Sequence, residues 1–264
     1  MNPHQYLSGK SILITGAGSG IGRAVAEEVA SAGGRAVLLG RTRSALEDVL
    51  KKIGGPARGH LLLVADVSDE ASLQYAFSVM AESVPCLHGV VANAGINGVW
   101  APLDRLSVEE WDTTLAVNLR GTFLTVRMAL PFLKPGGGSV VVVSSINGNR
   151  IFSNSGATAY ACSKAAQVAF AKMTALEFAR DRIRVNVVCP GAIRTGIEDS
   201  METRDIGALH LPVLFPEGDV PLTGGSPGEP GDVAGTIGFL LSDAASHVTG
   251  TELYVDGGQS LLQG

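Results

Sequence analysis

Tyr160 and Lys164 stand four residues apart in Tyr160-Ala161-Cys162-Ser163-Lys164, and on a helix that spacing places both on one face. A cation beside a phenol favours the phenolate. Tyrosine ionises near pH 10, and lowering it by about 3 units takes roughly 4 kcal/mol of differential stabilisation, part of which a nearby ammonium supplies. The chemistry available is proton transfer to or from an oxygen. Taken alone, the pair also suits two ordinary, partly exposed helix side chains. Its company narrows the choice: Ser144-Ser145 closes an apolar run, Asn118 lies upstream, and Asn93-Ala94-Gly95 follows another apolar run. Ser144 and Ser145 point to opposite sides of a regular strand. Only one of them can reach a carbonyl oxygen beside the phenol.

A second group of residues is suited to holding phosphate. Thr15-Gly16-Ala17-Gly18-Ser19-Gly20-Ile21-Gly22 follows the first apolar run and opens a helical pattern, so backbone N–H groups and a helix N-terminus can meet a pyrophosphate. Gly16, Ser19, Gly20, Ile21 and Gly22 are the candidate contacts. The spacing is Gly16-xxx-Gly20-x-Gly22, not GxGxxG. On its own the turn also suits a structural loop or an S-adenosylmethionine site, but its place after the first strand favours a dinucleotide. After the second apolar run, Gly40-Arg41-Thr42-Arg43 has glycine where a carboxylate would meet a ribose 2′-hydroxyl, then two arginines. Guanidinium groups pair with a 2′-phosphate. NADP(H) is the expected cofactor, with NAD(H) possible, unless Arg41 and Arg43 merely solvate the start of the next helix. A bound nicotinamide cation would share the work of lowering the tyrosine pKa.

The rest of the chain must bring these groups together. Of 264 residues, 45% are hydrophobic, 17% charged and 5% aromatic, with 34 Gly, which excludes collagen-like, disordered and disulfide-dense classes. Apolar runs at Ser11–Thr15, Arg35–Leu39, Leu61–Ala65, Gly89–Ala92, Ser139–Ser144, Arg184–Val188 and Leu253–Asp256 read as buried parallel strands. Helical patterns fall between them at Ile21–Ala32, Ser44–Ile53, Glu70–Glu82, Val108–Leu133, Ala159–Arg180 and Asp232–Leu241. The expectation is one α/β domain over residues 1–264, a Rossmann fold with a seven-stranded parallel sheet and helices on both faces. The Pro- and Gly-containing stretch 196–230, with apolar centre Leu209–Phe215, breaks the rhythm and reads as a substrate lid or as a passive excursion.

Charge and cysteine usage exclude several partners. A formal charge of −5 offers no broad basic surface to nucleic acid. Cys86, Cys162 and Cys189 have neither disulfide nor zinc spacing and read as small buried side chains. His4, His60, His88, His210 and His247 form no ligand cluster, so carbonyl activation falls to hydrogen bonds and not to a metal. The first apolar run is too short for a signal peptide or a membrane span, and cytoplasm is the default location.

In order and spacing, Thr15-Gly16-xxx-Gly20-x-Gly22, Asp66-Val67, Asn93-Ala94-Gly95, Asn118, Ser144-Ser145-xx-Gly148, Tyr160-xxx-Lys164, Pro190-Gly191 and Val255-Asp256-Gly257-Gly258 resemble the classical short-chain dehydrogenase/reductase family along nearly the whole chain. The resemblance implies Tyr160 as general acid/base, Ser145 holding the carbonyl oxygen, and Lys164 binding the nicotinamide ribose and lowering the Tyr160 pKa. Asn118 would support a water-linked proton path. It further implies Asp66 and Val67 at the adenine, Asn93, Ala94 and Gly95 beside the cofactor, and Pro190, Gly191, Ile193 and Thr195 near the carboxamide or phosphates. Asp66 could instead cap a helix, Asn93 could satisfy a turn, and Ser144 could be the serine that faces substrate. The segment from Ser145 to Tyr160 is about two residues longer than the common form. The implied reaction is hydride transfer between nicotinamide and a carbonyl or secondary alcohol, by a homotetramer. A non-catalytic nucleotide sensor or scaffold and a redox-neutral epimerase or dehydratase are the alternatives. Arg150, Arg194 and Arg204 near the expected site leave room for an acyl, carboxylate or phosphate group on the substrate.

Overall fold

In a computed structural model, residues 5–209 and 220–263 are described. Strands β1 (Ser11–Thr15), β2 (Arg35–Gly40), β3 (Leu61–Val64), β4 (Gly89–Ala92), β5 (Gly98–Trp100), β6 (Gly138–Val143), β7 (Ile183–Pro190), β8 (Met201–Thr203) and β9 (Glu252–Val255) occur in chain order. Seven of them form a sheet ordered β3-β2-β1-β4-β6-β7-β9, with every pairing parallel. Helices are α1 (Gly20–Ser31), α2 (Arg43–Lys52), α3 (Glu70–Ala81), α4 (Val108–Leu115), α5 (Gly121–Leu133), α6 (Thr158–Phe178), α7 (Pro230–Leu241) and the short α8 (Gln259–Gln263).

Two apolar layers explain why the strands lack polar alternation. Leu13 of β1 joins Leu73 of α3, Leu124 of α5 and Val168 of α6 on one side, while Ile12 and Ile14 join Val25 of α1, Leu46 of α2 and Ile237 of α7 on the other. Both faces are covered, so apolar residues fill consecutive positions in most strands. Because β1 is flanked by β2 and β4, the connections leave it in opposite directions and open a crevice beyond the carboxyl ends of β1 and β4. The glycine turn and Asn93 sit at that crevice.

Three differences from the sequence reading bear on the site. The helical pattern expected over Val108–Leu133 is two helices joined by a π turn at Ala116–Arg120, and such turns interrupt helices where a side chain or carbonyl is diverted. Asn118 lies in it. A small parallel pair, β5 with β8, sets Gly98 opposite Met201 and Trp100 opposite Thr203. That pairing anchors the first part of the expected lid. The returning part is fastened as well, since Val220 is buried, Leu222 N–H donates to Gly257 O at 3.0 Å, and Gly228 bridges to Ile193. Residues 210–219, with most of the apolar centre, lie outside the described residues. Cysteines follow expectation at Cys189 alone, which is buried, whereas Cys86 is partly exposed and Cys162 exposed. No helix among the described residues is long and apolar enough to cross a membrane.

Candidate active site

Gly16, at φ +65°, starts the turn, and a Cβ placed on it would lie 2.9 Å from Asn93 Nδ2; one placed on Gly22 would lie 2.2 Å from Gly16 O. Backbone and the Asn93 amide occupy the space that side chains would need. Asn93 Nδ2 donates to Thr15 O at 3.0 Å, and the N–H groups of Asn93 and Ala94 both donate to Thr15 Oγ1. Asn93 therefore ties the end of β4 to the end of β1 beneath the turn. Helix α1 begins after Ser19, which makes no side-chain cap, and its first turn holds no acid, so its leading amides remain available to an anion. This cradle fits a pyrophosphate.

One cavity of about 210 Å³ runs from this turn along Gly16, Ser19, Gly40, Arg41, Asp66 and Val67 to Ala94 and Gly95. Asp66 Oδ1 accepts from Ser68 N–H and Oγ at 2.8 and 2.7 Å, and Asp66 Oδ2 lies 3.9 Å from Arg41 Nη1. Burial pushes the Asp66 carboxyl up, but Ser68 and Arg41 outweigh it and hold the group below its usual range. Asp69, not Asp66, caps α3. Arg43 opens α2 on the surface, 3.7 Å from Glu47, outside this cavity wall.

A second cavity meets the first at Gly95 and holds Ser145, Tyr160, Lys164, Pro190, Gly191, Ile193 and Thr195, with Ile21 and Asn93 on its cofactor side. Lys164, 3% exposed, donates from Nζ to Val143 O at 3.0 Å and lies 5.6 Å from the Tyr160 ring centre. Burial lowers its pKa from the usual 10.5 to about 8. Burial pushes the Tyr160 phenol up, the Ser145 hydroxyl pulls it back in part, and the Glu198 carboxylate adds to the rise. The lowered phenol pKa expected from Lys164 is thus not present in the protein alone. Strand alternation sorts the two serines, for Ser144 Oγ donates to Lys164 O at 2.8 Å, securing α6, while Ser145 bears on the phenol.

Asn118 is fully buried and fully engaged. Its Oδ1 accepts Ile96 N–H at 2.8 Å, its Nδ2 donates to Ile96 O and Ser163 Oγ, and its carbonyl accepts from Thr122 Oγ1 and from Gln167 Nε2, both at 2.7 Å. The buried Gln167, three residues after Lys164, was not legible as part of the site. Across the cleft, Ala192 N–H donates to Gln259 Oε1 at 2.7 Å. A Cβ on Gly20 would come within 2.9 Å of Thr195 Cβ, so the loop after β7 closes against the phosphate turn.

The three arginines near the expected site are committed elsewhere. Arg150 stacks 3.5 Å above the Tyr254 ring and donates to Ser260 Oγ, Arg194 pairs with Glu229 at 3.0 Å, and Arg204 pairs with Glu110. None lines the cleft. The room left for an anionic substrate group is therefore not provided by them. Instead the outer wall carries Trp100, Asn147, Asn154, Glu198 and Met201. Asn154 belongs to the longer segment before Tyr160. Only Asn147 and Glu198, close in sequence to Ser145 and Thr195, left a signal that sequence reading could have used.

Comparison with known proteins agrees with this geometry. The family model described as enoyl-(acyl carrier protein) reductase matches residues 16–260. Levodione reductase of Leifsonia aquatica is 34% identical over 264 residues, covering 98% of this chain and 97% of that protein. A crystal structure of a 3-ketoacyl-ACP reductase from Sinorhizobium meliloti superposes with TM-score 0.88 at 51% identity, covering 96% of this chain and 99% of the other. A short-chain type dehydrogenase/reductase from Mycobacterium marinum superposes with TM-score 0.83 at 31% identity, covering 97% of each. With the sheet order, the joined cavities and the Ser145, Tyr160 and Lys164 cluster, these matches show that the chain belongs to the short-chain dehydrogenase/reductase family of NAD(P)-dependent oxidoreductases.

Proposed function

We propose that the protein is an NADP(H)-preferring reductase of carbonyl compounds and, in reverse, a dehydrogenase of secondary alcohols, with Tyr160 as the general acid/base. The observation that carries this reading is the meeting, at Gly95, of a glycine-lined cavity bearing Arg41 with a cleft holding Ser145, Tyr160 and Lys164. When bound, the nicotinamide supplies or accepts the hydride. Ser145 holds the carbonyl oxygen by a hydrogen bond and Tyr160 gives that oxygen its proton. A phenol whose pKa burial keeps high retains the proton until the oxygen becomes basic. Lys164 holds the nicotinamide ribose and stabilises the phenolate left behind. Asn118, engaged on every polar atom, is a positioning residue that fixes Ile96 and Ser163 around the cleft. Gly16, Ser19, Gly20, Ile21 and Gly22 hold the pyrophosphate, Asp66 and Val67 the adenine, and Arg41 the 2′-phosphate.

The test is oxidation of NADPH and NADH against a broad panel of ketones and aldehydes, with NADPH expected to give the higher catalytic efficiency. Gly40 has ordinary contact space toward Leu46, 3.4 Å from a Cβ placed on it. An aspartate fits there. Gly40→Asp with Arg41→Ala is expected to lower the NADPH-to-NADH ratio of kcat/KM by about tenfold or more, since a charge-assisted pair is lost and a repulsion added. An unmoved ratio would overturn the NADP(H) assignment.

Reduction should also depend on Lys164 ionisation. Its pKa of about 8 keeps the ammonium below that pH and discharges it above, so stabilisation of the Tyr160 phenolate fades as pH rises. The kcat for carbonyl reduction is expected to fall between pH 7 and 9. On stability the sign is opposite, because the pKa is lowered by folding: the cost of burying the cation is full below pH 8 and lifts as pH rises toward 10.5. A pH–rate profile paired with thermal unfolding across the same range separates the two effects.

We also infer a homotetramer in the cytoplasm. The tetramer reading is supported by Phe123 on α5 and by Met173 and Leu176 on α6, large apolar side chains that are 42, 71 and 83% exposed. Three unpaired cysteines suit a reducing compartment.

A further inference from the structure

The wall of the cleft opposite the cofactor carries one charge. Among the described lining residues the charged side chains are Lys164, hydrogen-bonded to Val143 O and facing the cofactor side, and Glu198. Glu198 has no ion-pair partner among the described residues, in contrast to Arg150, Arg194 and Arg204, which are occupied away from the cleft. Among the described residues, none forms an ion pair with Glu198.

The position of Glu198 is built, not incidental. Its turn, Ile197–Ser200, is closed by Ser200 Oγ donating to Ile197 O at 2.6 Å. It is then pinned to the next layer by Asn97, whose N–H donates to Ser200 Oγ at 3.0 Å and whose Nδ2 donates to Ile197 O at 3.3 Å. Asn97 is itself buried. Immediately after this turn, β8 pairs with β5, so the backbone carrying Glu198 is fixed on both sides. Glu198 lines the same cleft as Ser145 and Tyr160, and its carboxylate acts electrostatically on the Tyr160 phenol.

An ionised carboxylate only accepts hydrogen bonds. A substrate carboxylate or phosphate beside Glu198 would meet repulsion, and the cation of this cleft, Lys164, is held by Val143 O on the cofactor side. A substrate ammonium would be drawn to Glu198 but would share the cleft with the buried Lys164. An uncharged donor satisfies both constraints. We propose that Glu198 is a specificity-determining residue that selects uncharged hydroxy ketones, and the corresponding diols in reverse, by accepting a hydrogen bond from the hydroxyl next to the reacting carbon. The inference rests on the hydride-transfer reading and narrows its substrate class. Trp100 and Met201 supply apolar wall for the remainder of such a molecule.

The test compares compounds that differ at one group: hydroxyacetone, 2-butanone, aminoacetone and pyruvate, and the same substitutions on an aryl ketone, 2-hydroxyacetophenone, propiophenone, 2-aminoacetophenone and benzoylformate. Initial rates of NADPH oxidation give kcat/KM for each. The wild-type enzyme is expected to prefer the hydroxy ketone over the ethyl isostere by about tenfold and to disfavour the carboxylate by about tenfold, on the scale of a charged hydrogen bond and of a repulsion that solvent partly screens at the exposed Glu198. In Glu198→Gln the carboxylate-to-ethyl ratio rises about tenfold, and in Glu198→Ala the hydroxy-to-ethyl ratio falls toward 1. Unchanged ratios in both variants, or a wild-type preference for the carboxylate or the amine, would overturn the proposal while leaving hydride transfer intact. Absence of turnover for both series with NADPH and NADH, in protein shown by fluorescence to bind NADPH, would overturn the hydride-transfer reading and this inference with it.

Discussion

Tyr160→Phe is expected to lose between about 10²- and 10⁴-fold in turnover, the range a positioned proton donor contributes, while keeping its fold and its cofactor. The substitution removes one hydroxyl and leaves the ring, which packs with its centre 6.4 Å from that of Trp100. Lys164 stays where Val143 O holds it, and the glycine turn is untouched, so NADPH binding measured by fluorescence should change little. Since the proton moves only as the oxygen becomes basic, kcat and kcat/KM should fall together. A large rise in KM with kcat preserved would instead make the hydroxyl a binding group. Near-normal turnover would remove Tyr160 from proton transfer altogether.

The parts of this site that the sequence exposed are those set by local rules. Glycines at 16, 20 and 22 follow from a turn that must bring backbone to phosphate, and the seven apolar runs follow from a sheet covered on both faces. The roles of Ser144 and Ser145 separate through the two-residue repeat of a strand, which carries one to the α6 backbone and leaves the other at the phenol. What escaped notice depends on contacts between distant segments. β5 and β8 are three residues each and pair across about a hundred positions, too short to show a periodicity. The π turn at Asn118 carries no glycine or proline to mark it, because its cause lies outside the helix, in the hydrogen bonds Asn118 makes to Ile96 and Ser163. Gln167 looks like any polar residue on a helix until α6 is packed against that turn. The arginines misled for the same reason, since proximity in sequence to Tyr160 or Thr195 does not reveal that Tyr254, Glu229 and Glu110 hold them away.

Gly22→Ala tests the other half of the site, and its expected effect is on cofactor and stability together. The added methyl would stand 2.2 Å from Gly16 O, 2.7 Å from Gly16 C and 2.7 Å from Asn93 Nδ2. Two of these are backbone atoms, and the third is the amide that ties β4 to β1. No rotamer relieves the clash. The turn must open, carrying the amides at the start of α1 away from the pyrophosphate. Overpacking of this kind costs about 1–3 kcal/mol, and since about 1.4 kcal/mol is tenfold in affinity, NADPH should bind roughly 10- to 100-fold more weakly and the apoprotein should melt several degrees lower. Gly235→Ala supplies the contrast. That glycine lies within α7 with nothing within 4 Å of an added Cβ, so alanine there should stabilise by about 0.5–1 kcal/mol and leave NADPH affinity where it was. If Gly22→Ala bound NADPH as tightly as the wild type, the dinucleotide would have to lie elsewhere than against this turn, because a pyrophosphate held by these amides cannot tolerate their displacement.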